Sequence, residues 1–329
     1  MKNYYNIVWW NLENLFDTFD SPHRPEWLQS KLNSELQGWD QQVLEMKLIN
    51  LASILRKMNT NTGPDIIGVC EVENAIVLDQ LIQFIGFSTN QRNYQLVHHD
   101  MNDQRGIDVA FIYDANKFTF EDMFSHVVMQ RNATRDLLQV NFRTNKGNQL
   151  ILIGNHWHSR ISGELETEPY RIIAAETLSY WLERIVEICG KDTPILVMGD
   201  FNDEPFNKSI SEYAQSTHSK PKVMNSYNIR LLNLMYPLLG SGFGTFFYEN
   251  FPYMFDQFLV PKSMLKSNAL IKPMKTTSGT YRVNIASYPE MTSSGDYPKP
   301  LPFGRPSKPS SYDPAGYSDH FPISVILEE

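Results

Sequence analysis

A chain of 329 residues, 42% of them hydrophobic, is long enough to bury one large core or two modest ones. A net charge of −8 excludes a general attraction for nucleic acid or an anionic membrane, and leaves room only for a local basic patch. Two cysteines, Cys70 and Cys189, exclude a disulfide framework; each falls in an apolar run and reads as a small core residue, which fits a reducing compartment.

Strand-like and helix-like patterns alternate along the whole length, so the expected class is α/β or α+β. Ile7 to Trp10 reads as a buried strand, and the polar stretch from Asp17 to Gly38 as a loop. Val43 to Met58 puts Leu44, Leu48, Leu51, Leu55 and Met58 on one helical face. Pro64 and Asp65 open Ile66 to Cys70, apolar on both faces, as expected of a covered central strand. Asn74 is placed to cap a helix bearing Val77, Leu81 and Phe84. Val109 to Tyr113, His126 to Met129, Leu137 to Phe142 and Gln149 to Gly154 read as strands. Tyr170 to Cys189 reads as a helix with Ile173, Trp181, Leu182, Ile185 and Ile188 inward. Strands follow at Pro194 to Met198, Phe255 to Val260 and Pro322 to Leu327. The proline-rich stretch from Tyr297 to Pro314 can be neither helix nor inner strand and reads as an ordered loop. A single domain is expected, with an insertion at about 262–316. The start lacks the apolar region of a signal peptide and no run is long enough to span a bilayer, so a cytoplasmic monomer without membrane insertion is expected.

The polar residues at strand ends carry the chemical signal. Gly199-Asp200-Phe201-Asn202-Asp203-Glu204 ends a buried strand in carboxylates, which is costly unless something cationic or hydrogen-bonding collects them. If the chain stays extended, Asp200 and Asn202 share a side, where one can take a proton while the other orients water; a simple turn is equally compatible. Ser318-Asp319-His320 sets an imidazole beside a carboxylate, a pair suited to phosphate and metal, although alone it reads as surface loop. In Asn155-His156-Trp157-His158-Ser159-Arg160, His156 and Arg160 suit a phosphate better than zinc, and His158 reads as a surface residue. Of Glu71 and Glu73, only Glu71 need face a cleft, since Glu73 suits the following helix N-terminus. The runs at Glu71 and Asp200 echo each other, both starting from proline and delivering a carboxylate at a strand end, where open α/β sheets place ligands.

The order of these segments, from Trp9-Trp10-Asn11-Leu12-Glu13-Asn14 through Glu71, Asn155-His156, Gly-Asp-Phe-Asn and Phe255-Asp256-Gln257 to Ser-Asp-His, closely resembles the endonuclease/exonuclease/phosphatase superfamily. The Asn-Leu-Glu-Asn-Leu-Phe-Asp run, Arg105-Gly106-Ile107-Asp108-Val109-Ala110 and Asn-His-Trp-x-Ser-Arg resemble a bacterial nuclease-like branch. The resemblance implies a four-layer α/β sandwich, two packed mixed β-sheets flanked by helices. It implies Mg²⁺ (or Mn²⁺) at Glu71, with Asn11 and Asp319 nearby. It makes Asp200 the residue that activates water, Asn202 the one that orients it, His320 the phosphate contact fixed by Asp256, and His156 a second stabiliser of charge. Arg105, Asp108 and Arg160 are the expected substrate contacts, Asp108 standing where some nucleases place a Glu beside the second His. Cys70 departs from the Gln common at that position, and the proline-rich insertion lies outside the family pattern.

The activity so implied is a metal-dependent phosphoesterase, a nuclease or phosphodiesterase using in-line attack of water on a phosphoester, DNA or RNA included. The alternatives are a lipid or inositol phosphate phosphatase or phosphodiesterase, and an inactive binding protein on the same scaffold. The acidic charge weighs against tight duplex binding, and the lack of a membrane-binding helix against lipid work.

Overall fold

The computed structural model describes residues 2–86, 92–131, 133–294, 298–307 and 311–329. In chain order the elements are β1 (Tyr4–Leu15), α1 (Glu26–Leu32), α2 (Gln41–Asn61), β2 (Ile66–Val72), α3 (Ala75–Gly86), β3 (Tyr94–His98), β4 (Asp108–Asp114), β5 (Phe118–His126), β6 (Leu137–Thr144) and β7 (Gln149–His156). The second half contributes α4 (Glu164–Cys189), β8 (Ile195–Asp200), β9 (Ser216–Thr217), α5 (Lys220–Asn225), β10 (Leu231–Asn233), β11 (Phe246–Tyr248), β12 (Phe251–Tyr253), β13 (Asp256–Pro261), β14 (Lys272–Pro273), β15 (Val283–Ile285) and β16 (Ile323–Glu328).

Two mixed seven-stranded sheets form the centre. One runs β14-β16-β1-β2-β4-β3 with β15 also on β16; the other runs β5-β6-β7-β8-β13-β10-β9. The period-2 alternation of strands explains why so many central residues are apolar on both faces. Leu150, Leu152, Met198 and Phe258 pack into the core shared with the first sheet, while Ile151, Ile153, Val197 and Leu259 join Leu178, Leu182 and Ile185 of α4 in a second core. On the other side Leu44, Leu48, Leu51 and Leu55 of α2 are fully buried, each contributing roughly 1.5–3 kcal/mol. The result is helix, sheet, sheet, helix. The sheets approach closely at Gly68, where a Cβ would meet Trp9 at 2.7 Å and Met198 Sδ at 3.0 Å.

Several local expectations change. The stretch from Asp17 to Gly38 contains α1, held down by Arg24, whose Nε and Nη2 donate to the two oxygens of Glu73 at 2.6 and 2.7 Å. Glu73 therefore anchors this segment rather than only facing a helix dipole, and losing either partner would strand a buried charge. Asn74 does cap α3, accepting from the backbone N–H groups of Ile76 and Val77. The strand expected at His126 to Met129 lies earlier, as β5: an edge strand has one solvated face, which hides its apolar signal. Ile188 and Cys189 at the end of α4 are exposed, not core, because the helix there runs past the sheet.

The proline-rich stretch is ordered where described, and it packs on β1 and α2. Phe303 N and Gly304 N donate to the Glu13 carboxylate at 2.7 and 3.1 Å, and Phe303 is buried edge-on against Trp39. Tyr312 stacks on Phe303, and Arg305 bonds Asn14 and Glu35. Phe303 is thus a core residue, not a free ring. Tyr297, Lys308 and Pro309 lie outside the described residues. No described helix is long and apolar enough to cross a membrane.

Candidate active site

The strand ends meet at one end of the sandwich. Across adjacent strands of the second sheet, His156 pairs with Asp200 in register and Asp200 with Asp256. Gly199 permits this, since a Cβ there would lie 2.4 Å from Asn155 O. From the facing sheet, alternation along β1 aims Trp9 and Asn11 at the same place: Trp9 Nε1 donates to Asp256 Oδ1 at 3.1 Å, and Asn11 Nδ2 to Asp200 Oδ2 at 3.1 Å.

Glu71 should not reach this place by alternation alone, because Gly68 and Cys70 face the second sheet. Two irregularities re-aim it. The register of β2 against β4 slips between Cys70 and Val72, and against β1 between Asn11 and Leu15. Glu71 takes φ of +61°, a conformation L-residues adopt at some cost and one that recurs at functional sites. Its Oε2 accepts from Asn14 N at 2.9 Å, while Oε1 lies 3.6 Å from both Arg105 Nη2 and His156 Nε2. Asn202 also has positive φ, +51°. The chain turns there instead of staying extended: Asn202 N donates to Asp200 Oδ1 at 2.9 Å and its side-chain amide to Trp157 O at 3.1 Å. The Gly-Asp-Phe-Asn run is thus both a turn and part of the cluster.

His320 completes the arrangement. Its Nδ1 is 2.7 Å from Asp256 Oδ2 and its Nε2 3.8 Å from Asp200 Oδ2. Burial works against its charge, but Asp256, Asp200 and Asp319 outweigh it and hold the imidazole well above its usual pKa, so it carries a proton. His156 is the opposite case: burial, with Arg135 nearby, drives it well below its usual value, so it is neutral. Burial raises Asp200 to about 6 despite His320, and Asp319 likewise to about 6 with Glu71 and Asp200 adding repulsion. Glu71 stays ionised, pulled to about 2 because the positive charges of Arg105 and His320 overcome its burial.

Three expected residues stand differently. Asp108 is not behind His156. Val109 faces the second sheet against Gly154, so alternation turns Asp108 to the opposite face, where it bonds His98 Nε2 at 2.9 Å and Met101 N at 3.0 Å. His156 Nδ1 has no hydrogen-bond partner among the described residues. Arg160 is committed to Asn202 O at 2.7 Å and Asp203 Oδ1 at 2.6 Å, which ties it to the turn. Arg105 stands at the rim, bonded to Asn14 Oδ1 at 2.8 Å. His158 is half-buried against Tyr170.

The sequence reading missed supporting residues. Arg135 is buried and bonds His156 O, Trp157 O and Asp103. Thr245 Oγ1 accepts from Phe255 N and Asp256 N. Ser318 Oγ donates to Asn11 O at 2.7 Å and accepts from His320 N at 3.1 Å. Lys47 is wholly buried and donates to Glu13 O; its place inside the apolar stripe of α2 was the available signal.

The side chains can hold a hard cation. Asp319 accepts no hydrogen bond from a described residue, and no described donor bonds Glu71 Oε1, although both carboxylates stand in an acidic cluster. Three groups of described residues bring possible ligand atoms within 4.8 Å of one another; His98-Asp100-Asp108 lies on the side to which Asp108 turns, and the two here are Asp200-Asp256-His320 and Cys70-His156-Asp200. In the first the imidazole and Asp256 already hydrogen-bond each other, and in the second burial keeps the Cys70 thiol protonated. The oxygen set of Glu71, Asp319 and the remaining lone pair of Asn11 Oδ1 fits a hard divalent ion better than either.

The backbone as a whole has known counterparts. Similar solved structures include a humanized zebrafish (D. rerio) TDP2 carrying 14 mutations, at 13% identity and TM-score 0.58, covering 98% of each chain. A mannosyl-6-phosphatase of Bacteroides thetaiotaomicron matches at 16% identity and TM-score 0.56, covering 98% of this chain and 99% of that one. The human Nocturnin catalytic domain, bound to sulfate, matches at 16% identity and TM-score 0.55, covering 99% and 97%. No curated protein sequence matches the chain. The sequence model described as Endonuclease/Exonuclease/phosphatase family spans residues 6–329, which takes in every strand end that builds the cluster, and the chain belongs to that family.

Proposed function

We propose that the chain is a Mg²⁺- or Mn²⁺-dependent phosphoesterase, a nuclease or phosphodiesterase that cleaves a P–O bond by in-line attack of water. The observation that carries this reading is the convergence of a proton acceptor, Asp200, and a protonated imidazole, His320, 3.8 Å apart, beside Oε1 of Glu71 and the Asp319 carboxylate, which accept no hydrogen bond from a described donor. A divalent ion held by Glu71, Asp319 and Asn11 would supply Lewis-acid stabilisation of phosphate charge. Asp200, ionised, takes the proton of the attacking water, and Asn11 and the Asn202 amide N–H hold its two oxygens in place. His320 donates Nε2–H to a phosphate oxygen while Asp256 keeps its Nδ1 proton engaged. His156, neutral, offers a further donor on the same oxygens. The similar structure described as a mannosyl-6-phosphatase supports phosphoester chemistry in general.

A second reading, a phosphomonoesterase acting on a sugar or inositol phosphate, is favoured by Arg105. Its Nε and Nη1 make no hydrogen bond with the described residues, and a charged guanidinium with unused donors suits the extra negative charge of a terminal phosphoryl group. Turnover of single-stranded oligonucleotide, plasmid DNA, bis-p-nitrophenyl phosphate and inositol and sugar phosphates, measured side by side with Mg²⁺ or Mn²⁺, separates the readings. Hydrolysis of diesters over monoesters supports the first. Monoesters alone support the second. Turnover of none of them overturns both.

A further inference from the structure

Two neighbouring cavities, about 420 and 280 Å³, contain none of the residues of the catalytic cluster, and they share Lys220, Lys275 and Tyr281 in their walls. Lys272 in the second wall is level with Glu328, which pairs with Tyr4 at the start of β1. Asn11 is seven residues along that strand, so this wall and the cluster are separated by about 23 Å at the usual rise per residue, while the larger cavity reaches closer, to Asn233, which pairs in register with Leu259, three residues from Asp256.

Their charge is unlike the rest of this acidic protein. Lys220 and Lys275 form no ion pair with any described carboxylate, and Lys272 reaches Glu328 only at 3.7 Å. Burial and the like charges of Lys275 and Lys272 push Lys220 below its usual pKa, the sign of a cation in want of a counter-charge. The Lys275 ammonium lies 5.2 Å above the Tyr281 ring, and the Tyr281 hydroxyl is buried without a hydrogen-bond partner. The larger cavity continues past these groups to His218 and Tyr236, whose rings lie 4.9 Å apart, and to Leu232 and Pro237. Cations, an unsatisfied hydroxyl and a ring-lined apolar wall thus share one space.

We propose that this paired cavity is a second, non-catalytic ligand site for a small phosphomonoester bearing a planar ring, of the nucleoside monophosphate class. The phosphate sits where the two cavities join, between the Lys220 and Lys275 ammonium groups, which as mobile point charges suit a phosphate of any orientation. The ring lies against Tyr236 and His218, where stacking is tolerant of which base is present. The volume of the larger cavity falls within the range of small-molecule sites. The assignment is independent of the substrate proposed for the catalytic cluster.

Methyl NMR on the full chain labelled at methionine tests it, because Met264 lines the second cavity and Met198 lies between the sheets. AMP, adenosine and inorganic phosphate are titrated separately, with chelator present to stop turnover. AMP is expected to shift Met264, saturably and at least tenfold more tightly than phosphate or adenosine. A Lys220→Met/Lys275→Met double variant is expected to weaken AMP at least tenfold, with an otherwise unchanged spectrum and unchanged turnover of a generic diester. Equal affinity for AMP and phosphate, undiminished AMP binding in the double variant, or shifts that spare Met264 would each overturn the proposal.

Discussion

Asp256 holds His320 from one oxygen and is itself held by Trp9 from the other: His320 Nδ1 lies 2.7 Å from Oδ2, and Trp9 Nε1 3.1 Å from Oδ1. The side chain is fully buried, held by these partners, and the Asp256 N–H bond to Thr245 fixes its backbone. It fixes both the orientation of the imidazole and its proton. Asp256→Asn is expected to lower kcat by about 10⁴-fold with a near-normal fold, as loss of an imidazole's orienting carboxylate does elsewhere. Trp9→Phe keeps the packing and removes one bond, so only a several-fold loss is expected. Steady-state turnover beside a circular-dichroism melt checks both; wild-type kcat in Asp256→Asn would remove the pair from the mechanism.

Asp200 sets the acid side of the pH profile. Its carboxyl is raised to about 6, and only the ionised form accepts a proton. Turnover should therefore fall as pH drops through about 6, and a bound divalent cation moves that midpoint lower by favouring the anion. His320, held well above its usual value, stays protonated through neutrality and gives no loss there. Asp200→Asn is expected to reduce turnover about 10³-fold or more and to abolish the acid limb in what remains; His320→Ala should cost a similar factor. An acid limb unchanged in Asp200→Asn would assign it to another group.

Glu71 remains ionised down to about pH 2, so it is available to a cation across the working range. Thorough chelation should abolish turnover, and Mg²⁺ or Mn²⁺ should restore it. The ion should also raise the melting temperature, since a ligand at 100 times its Kd stabilises by about 2.7 kcal/mol. Glu71→Gln should lose most of that thermal shift. Full turnover after chelation would defeat the metal assignment.

The layers of the fold were legible because central strands and α2 carry unbroken apolar patterns; α1 and β5 were not, because one is short and polar and the other is an edge strand. At the site, the run at Asp200 was legible because carboxylates at the end of a buried strand are costly without a partner, whereas Ser318-Asp319-His320 alone read as surface loop and gained its role only from the order of segments that resembles the family. The resemblance placed Asp108 beside the second His, but period-2 alternation from Val109 turns it away. Alternation would also have turned Glu71 away, had a β-bulge not reversed its direction. Bulges leave no pattern in a single sequence. Nor does the Trp9–Asp256 bond, which joins residues 247 apart.

The proline-rich segment acts on the site through Glu13. Glu13 binds Phe303 N and Gly304 N with its carboxylate, and its own carbonyl accepts from buried Lys47. Next to it, Asn14 donates its N–H to Glu71 and receives Arg105 and Arg305 on its side chain. Both Glu13 and Asn14 take positive φ, a strained turn that the docked segment holds in place. Phe303→Ala should then remove a ring buried against Trp39 and cost about 3–5 kcal/mol of stability. Burial and the Asp319 carboxylate raise the Glu13 carboxyl to about 7, so above that pH Glu13→Gln keeps the shape but replaces two charge-assisted bonds with weaker ones. It should weaken the metal dependence of turnover several-fold, because Asn14 no longer fixes Glu71, with natural and generic substrates affected alike. Measuring the metal concentration for half-maximal turnover in Glu13→Gln decides the matter. A selective loss on one substrate, with metal dependence unchanged, would show that the segment contacts substrate instead of bracing Glu71.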